Sequence, residues 1–206
     1  MRNFKKILIA ICVIALLSVG CVVMAFAADG EEVVVNKGTV EELNALIATA
    51  ESASDAQSKY NALSAVNSYL LTKDMCVDEM DDTTKVIYDA AMLRIQRVAV
   101  VGADMLLSVI PEDLTASGVD VEAALTNFLN ADFMLHWFEL PTTTAGLSDV
   151  KPKYDAAFER VATALVNNLS DGSYGNKITN TAENKVKLNR VNSIITYCVP
   201  YGSADF

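Results

Sequence analysis

The chain has 206 residues, with 26 acidic and 16 basic side chains and a formal net charge of −10. Its apolar content of 52% is enough for one sizeable hydrophobic core. Because such an acidic surface repels phosphate backbones, we exclude nucleic acid as a partner.

The N-terminal segment has the pattern of a secretory signal peptide. Arg2, Lys5 and Lys6 precede a long apolar run, and the run ends in small residues around Ala27. We therefore predict that residues 1–27 are a signal peptide and that the rest of the chain is secreted or associated with the cell envelope.

Two other fates of the leader stay open. The apolar run is close to the roughly 20 residues that span a bilayer, so it can remain as an anchor, which would be the only contact with the membrane. Cys21 can also accept a lipid in a lipoprotein-like setting. After the leader, we predict a short flexible linker over residues 28–38 and a single helical domain over residues 39–206.

Apolar residues recur with helical spacing through this domain, which predicts an all-α bundle of about six helices. The first helix begins at a capping box formed by Thr39 and Glu42. A tight turn near Ala53 separates it from a second helix, which begins at a second capping pattern formed by Ser54 and Gln57.

An acidic connection from Lys73 to Asp82 leads to a third helix at about 83–109, which Pro111 ends. This helix is apolar around most of its circumference, so we predict that it is buried as the central element of the core.

Three further helices follow in chain order. The fourth begins after Asp120 and extends towards Leu140, with a kink expected near residues 130–132. The fifth covers about 150–169, and a polar loop at 170–181 precedes the sixth, at about 182–199. The buried face predicted for the sixth helix consists of Leu188, Val191, Ile195 and Cys198.

Two cysteines lie outside the leader, Cys76 and Cys198. An even number of cysteines in an exported chain favours a disulfide, so we predict a bond between them. In the alternative interpretation both thiols are free, and Cys198 packs as a small hydrophobic side chain.

The most distinctive segment is 133–138, which contains the only His and the only Trp of the chain. Its apolar residues surround the helix, so we predict that Phe133, His136, Trp137 and Phe138 bind a partner or ligand. The alternative is a fully packed helix with a hydrogen-bonded His136. An exposed Trp137 would favour a protein partner, and a buried Trp137 beside a cavity would favour a small apolar ligand.

Acidic loops offer two places for a hard cation. Asp78, Asp81 and Asp82 lie in the first, and Asp171 begins a loop that is similar in part to a calcium-binding loop. That loop lacks the required glycine at its sixth position and the required glutamate at its twelfth. We therefore predict no metal and no cofactor.

No catalytic motif is present, so we predict a non-enzymatic binding or structural module whose partner is another protein or a cell-surface component. Two alternatives remain. One is a carrier of a small apolar ligand, with a pocket between helices. The other is a hydrolase that uses paired carboxylates with perturbed pKa values.

Overall fold

The computed structural model describes residues 36–138, 140–167 and 181–198, without the side chains of Ile195 and Tyr197. All of these residues belong to one compact unit of the chain. Within them lie six α-helices: α1 (Val40–Ser52), α2 (Ala56–Thr72), α3 (Asp82–Ser108), α4 (Val121–Trp137), α5 (Leu147–Asn167) and α6 (Ala182–Tyr197). The all-α prediction with about six helices is confirmed for this part. The predicted signal peptide lies outside the described residues.

Five of these helices begin at a side chain that accepts a backbone N–H three residues later, which satisfies one of the unpaired donors of the first turn. These caps are Thr39, Asp55, Asp81, Asp120 and Thr181. The sequence therefore indicated where α1, α3 and α4 begin, and it placed the cap of α2 at Ser54, one residue before the observed cap Asp55.

The capping box at Thr39 contains an additional residue. Thr39 accepts the N–H of Glu42 as predicted, at 3.2 Å. The Tyr69 hydroxyl, from the end of α2, accepts the Thr39 N–H at 2.7 Å and donates to the Glu42 carboxylate at 2.6 Å. The start of α1 is thus bonded to the last turn of α2.

The chain enters the helical unit through a short backbone pairing. Gly38 donates its N–H to the Asp74 carbonyl at 2.9 Å, and Asp74 donates to the Asn36 carbonyl at 3.1 Å. Residues 36–38, the only described part of the predicted linker, form with Asp74 what we call the N-terminal clip. A single 3₁₀ turn, Val77–Glu79, then leads to α3.

Helix α3 is the centre of the bundle and packs against α1, α2, α4 and α5. Its buried residues begin only at Ala91, so the first two turns contribute little to the core. At Gly102 the helix approaches α4 so closely that an added Cβ would lie 2.7 Å from the Met134 sulfur. A larger residue there would require the end of the Met134 side chain to move.

Polar contacts join α1 to its neighbours. Arg94 of α3 donates to both carboxylate oxygens of Glu51, at 2.8 and 2.6 Å, and to the Asn44 side chain at 2.6 Å. Lys59 of α2 is buried, and its ammonium group donates at 3.2 Å to two carbonyls in the last turn of α1, those of Ala50 and Glu51. A cation at this end of a helix is favourable because the unpaired carbonyls carry partial negative charge.

Helix α4 is one continuous helix that ends at Trp137, three residues before the predicted limit at Leu140. One detail of the predicted helices is wrong. On α6, the buried side chains are Val191, Ile194 and Cys198, whereas Leu188 is exposed. The reason is that α6 packs mainly against α5, so only a narrow stripe of it is covered. In the part of the chain that the structure describes, no helix combines the length and apolar character needed to cross a bilayer.

Candidate functional site

The aromatic segment at the end of α4 packs mainly against itself and against α2. The Phe133 ring stacks on Trp137 with ring centroids 5.7 Å apart, and it meets Tyr60 of α2 edge-on at 5.5 Å. Phe138 is buried and lies 6.0 Å from Phe133. Trp137 is half-buried, so it is not exposed as expected for a protein partner. It is also not buried beside a cavity as expected for an apolar ligand, since it lines neither the hollow nor the groove described below.

His136 points away from this aromatic cluster into a polar one. Its Nδ1 atom lies 2.9 Å from the Asp132 carboxylate, one turn earlier on α4. The Tyr154 hydroxyl of α5 donates to the same carboxylate oxygen, and the His136 and Tyr154 rings meet edge-on. The Cys198 thiol, at the end of α6, also contacts Asp132 and Tyr154. Three helices therefore bring a carboxylate, an imidazole, a phenol and a thiol together, a grouping that sequence spacing did not reveal.

This polar cluster is not arranged for nucleophilic catalysis. A cysteine nucleophile reacts as the thiolate, which needs a lowered pKa. Burial raises the pKa of Cys198 far above its ordinary value of 9.0, and the negative charge of Asp132 raises it further. The thiol therefore stays protonated at neutral pH, and it packs the end of α6 against α4 and α5.

The predicted disulfide is absent from the structure, in which Cys76 and Cys198 are both free thiols. The two have separate surroundings. Cys76 is half-buried in the loop after α2, where its backbone N–H is bonded to Asp74 at 2.8 Å. Cys198 is buried against α4 and α5, as the alternative interpretation of a packed thiol requires.

The acidic loop before α3 has a structural role. Asp81 caps that helix by accepting the Thr84 N–H at 2.8 Å. Among the described residues, no group of three or more His, Cys, Asp or Glu side chains is placed to hold a metal ion. Asp78 and Asp82 lie on either side of this cap, whereas Asp171 lies outside the described residues.

Six carboxyl groups have a pKa below its ordinary value, because each accepts hydrogen bonds that favour the ionised form. The main donors are neighbouring side chains or, for Asp81, the Thr84 backbone. These groups are Glu42, Glu51, Asp55, Asp81, Asp113 and Glu183. A general acid at neutral pH needs a shift in the opposite direction, so these six are poor candidates for the acid of a paired-carboxylate hydrolase.

Among the residues that the structure describes, large exposed apolar side chains are most numerous on α3. Val86, Leu93 and Val101 are 68%, 53% and 51% exposed. Together with exposed Ala90 and Arg97 they follow one helical face, which we call the outer stripe. Helix α3 is the central element of the bundle, as predicted, but no helix among the described residues covers this side of it.

A sequence signal for the outer stripe was present. The polar residues Arg97, Asp104 and Ser108 share this helical face, so they mark the side that meets solvent. Val101 lies between Arg97 and Asp104 on this face, and Val86 and Leu93 continue the face towards the start of the helix. Their position on a polar face indicated exposure.

A hollow of about 160 Å³ lies beside the middle of the outer stripe. Leu93, Gln96 and Arg97 form one wall, and the loop between α4 and α5 forms the other. The Thr144 hydroxyl in that loop is buried and has no hydrogen-bond partner. An apolar stripe beside a hollow with an unsatisfied hydroxyl is a surface suited to a partner's side chains.

The chain was compared with protein-family models, curated proteins and solved structures, and none of them matches it.

Proposed function

We propose that this chain is a non-catalytic binding module that acts outside the cytoplasm and docks another protein on the outer stripe of α3. The observation that carries the proposal is the row of exposed Val86, Leu93 and Val101 on a helix whose opposite side is fixed in the core. A rigid helix presents such side chains without losing much conformational entropy when it binds. The signal-peptide pattern of residues 1–27 supports a location outside the cytoplasm.

The partner proposed for the outer stripe is a basic amphipathic helix. The chain carries a net charge of −10, and the end of the stripe that begins at Val86 adjoins the acidic residues of the loop before α3. The apolar face of the partner helix would cover Val86 and Leu93, and lysine or arginine side chains at the edges of that face would pair with these carboxylates. One side chain of the partner would enter the hollow beside Leu93, where the Thr144 hydroxyl lacks a partner.

A designed peptide of about 18 residues, helical with leucine on one face and lysine on the other, is a direct probe of this proposal. We expect it to bind the purified protein in a fluorescence-anisotropy titration, and we expect a matched leucine/glutamate peptide not to bind. The double variant Val86→Gln/Leu93→Gln removes two exposed apolar side chains. Because burying each is worth about 1.5–3 kcal/mol, the loss in affinity should be at least about tenfold.

Val186→Gln is the matched control, because Val186 is 54% exposed but lies on α6. Its peptide affinity should equal that of the unmodified protein. Equal losses in both variants, or no loss in either, would contradict the proposal. If sedimentation instead reveals a dimer that Leu93→Gln dissociates, then the stripe binds a second copy of the chain and the proposed partner is wrong.

A further inference from the structure

A second concave surface lies between the C-terminal end of α3 and the first half of α5. It is a shallow groove of about 440 Å³, within the size range of small-molecule sites. Its apolar wall consists of Leu107, Ile110, Pro152 and Ala156. The groove is distinct from the hollow beside the outer stripe, since the two have no lining residue in common.

Arg160 supplies the main polar feature of this groove. The side chain is half-buried, and its Nε–H is buried with no acceptor. It forms no ion pair with any residue that the structure describes, whereas Lys153 in the same groove is paired with Asp104 at 2.5 Å. A buried donor without an acceptor is rare in native proteins and lowers stability, so this N–H marks a place where a further group can bind.

We propose that this groove binds a small monocarboxylate with an apolar body, and that the guanidinium of Arg160 pairs with its carboxylate. The planar guanidinium matches a carboxylate, to which it can donate two parallel hydrogen bonds. The apolar body would lie along Leu107 and Ile110. Glu112 also lines the groove and repels a second negative charge, so the site selects a ligand with only one.

Hexanoate is the probe, titrated into the full chain and followed by isothermal calorimetry. Hexan-1-ol has a similar body without the charge, phosphate is an anion without the apolar body, and adipate adds a second carboxylate. We expect hexan-1-ol to bind at least about tenfold more weakly than hexanoate, because it lacks the hydrogen bond between opposite charges. Phosphate and adipate should also bind more weakly than hexanoate.

Arg160→Met removes the guanidinium and keeps an apolar stem, so hexanoate binding should fall to the level of hexan-1-ol. Arg160→Lys keeps the charge but not the fork, and its affinity should be intermediate. The control is Arg190→Met, since Arg190 is exposed on α6 and lines neither the groove nor the hollow beside the outer stripe; its affinity should not change.

Thermal unfolding of the unliganded variants separates binding from structure. Because Arg160→Met removes an unsatisfied donor, its melting temperature should equal or exceed that of the unmodified protein. A lower melting temperature would mean that Arg160 supports the fold, which would overturn the proposal. Equal binding of hexan-1-ol and hexanoate, equal binding of phosphate, no binding of hexanoate, or unchanged affinity in Arg160→Met would overturn it as well.

Discussion

Cys198 should make the stability of this protein depend on pH above about 9. Its thiol is buried against α4 and α5, and burial raises its pKa above the ordinary value of 9.0. In the unfolded chain the thiol ionises near that ordinary value, whereas in the folded chain it stays protonated. The contribution of the thiol to stability is therefore complete below pH 9 and is lost as the pH rises above it.

The size of the effect follows from proton linkage. Each pH unit above the unfolded pKa reduces the free energy of unfolding by about 1.4 kcal/mol, until the folded thiol also ionises. At a pH of about 10.5, which is about 1.5 units above the ordinary thiol value, the loss is about 2 kcal/mol. Other groups titrate in this range too, including Tyr69, whose pKa is raised mainly by burial. A variant that lacks only the thiol cancels their contribution.

Urea unfolding of the unmodified protein and of Cys198→Ala, at about pH 7.5 and about pH 10.5, measures this effect as a difference of differences. We expect the stability difference between the two proteins to change by about 2 kcal/mol over this range. A difference that does not depend on pH would refute the reasoning. Mass spectrometry of the alkylated, unreduced protein would then distinguish an exposed thiol from one bonded to Cys76.

Three further changes test contacts of α1. Arg94→Met removes the paired hydrogen bonds to Glu51 and should reduce the free energy of unfolding, measured in urea titrations, by about 1 kcal/mol. The loss should be smaller for the control Lys85→Met, which breaks a simple ion pair between residues one helical turn apart. The pKa of Glu51 is below its ordinary value of 4.5 mainly because of the Arg94 hydrogen bond. The contribution of this pair to the free energy of unfolding is therefore present above about pH 4.5 and should disappear as the pH falls below it. Lys59→Met leaves two carbonyls of α1 without their donor and should lower stability by about 1–3 kcal/mol, measured by calorimetry. Tyr69→Phe removes the hydroxyl at the start of α1 and should cost about 1 kcal/mol, with faster amide hydrogen exchange in the first turn of that helix. No change in any of these measurements would mean that the corresponding contact does not stabilise the fold.

Much of the fold could be predicted because its signals are local. The side chains of Thr39, Asp81 and Asp120 each supply an acceptor for the following turn, and that chemistry depends only on a few neighbouring residues. Helical spacing of apolar residues then predicted which segments lie between these caps. Both signals can be read from a single sequence.

The candidate sites were harder to predict because they depend on which sides of a helix its neighbours cover. Val86 and Leu93 have the same apolar character as core residues, and only the packing of α3 leaves them exposed. The contact of Cys198 with Asp132 joins residues far apart in sequence, so no spacing rule indicates it. Asp171 lies outside the described residues, so what was predicted for its loop from the sequence stays a prediction.

The N-terminal clip determines how the helical unit would respond to force. If the leader stays in the membrane, tension on the exported part is applied through Asn36 and Gly38. The two backbone hydrogen bonds to Asp74 lie on the same short parallel pairing, so a pull along the chain would shear both together before any of it reached α1. The clip would then break first under load and lengthen the tether while the helices stay folded.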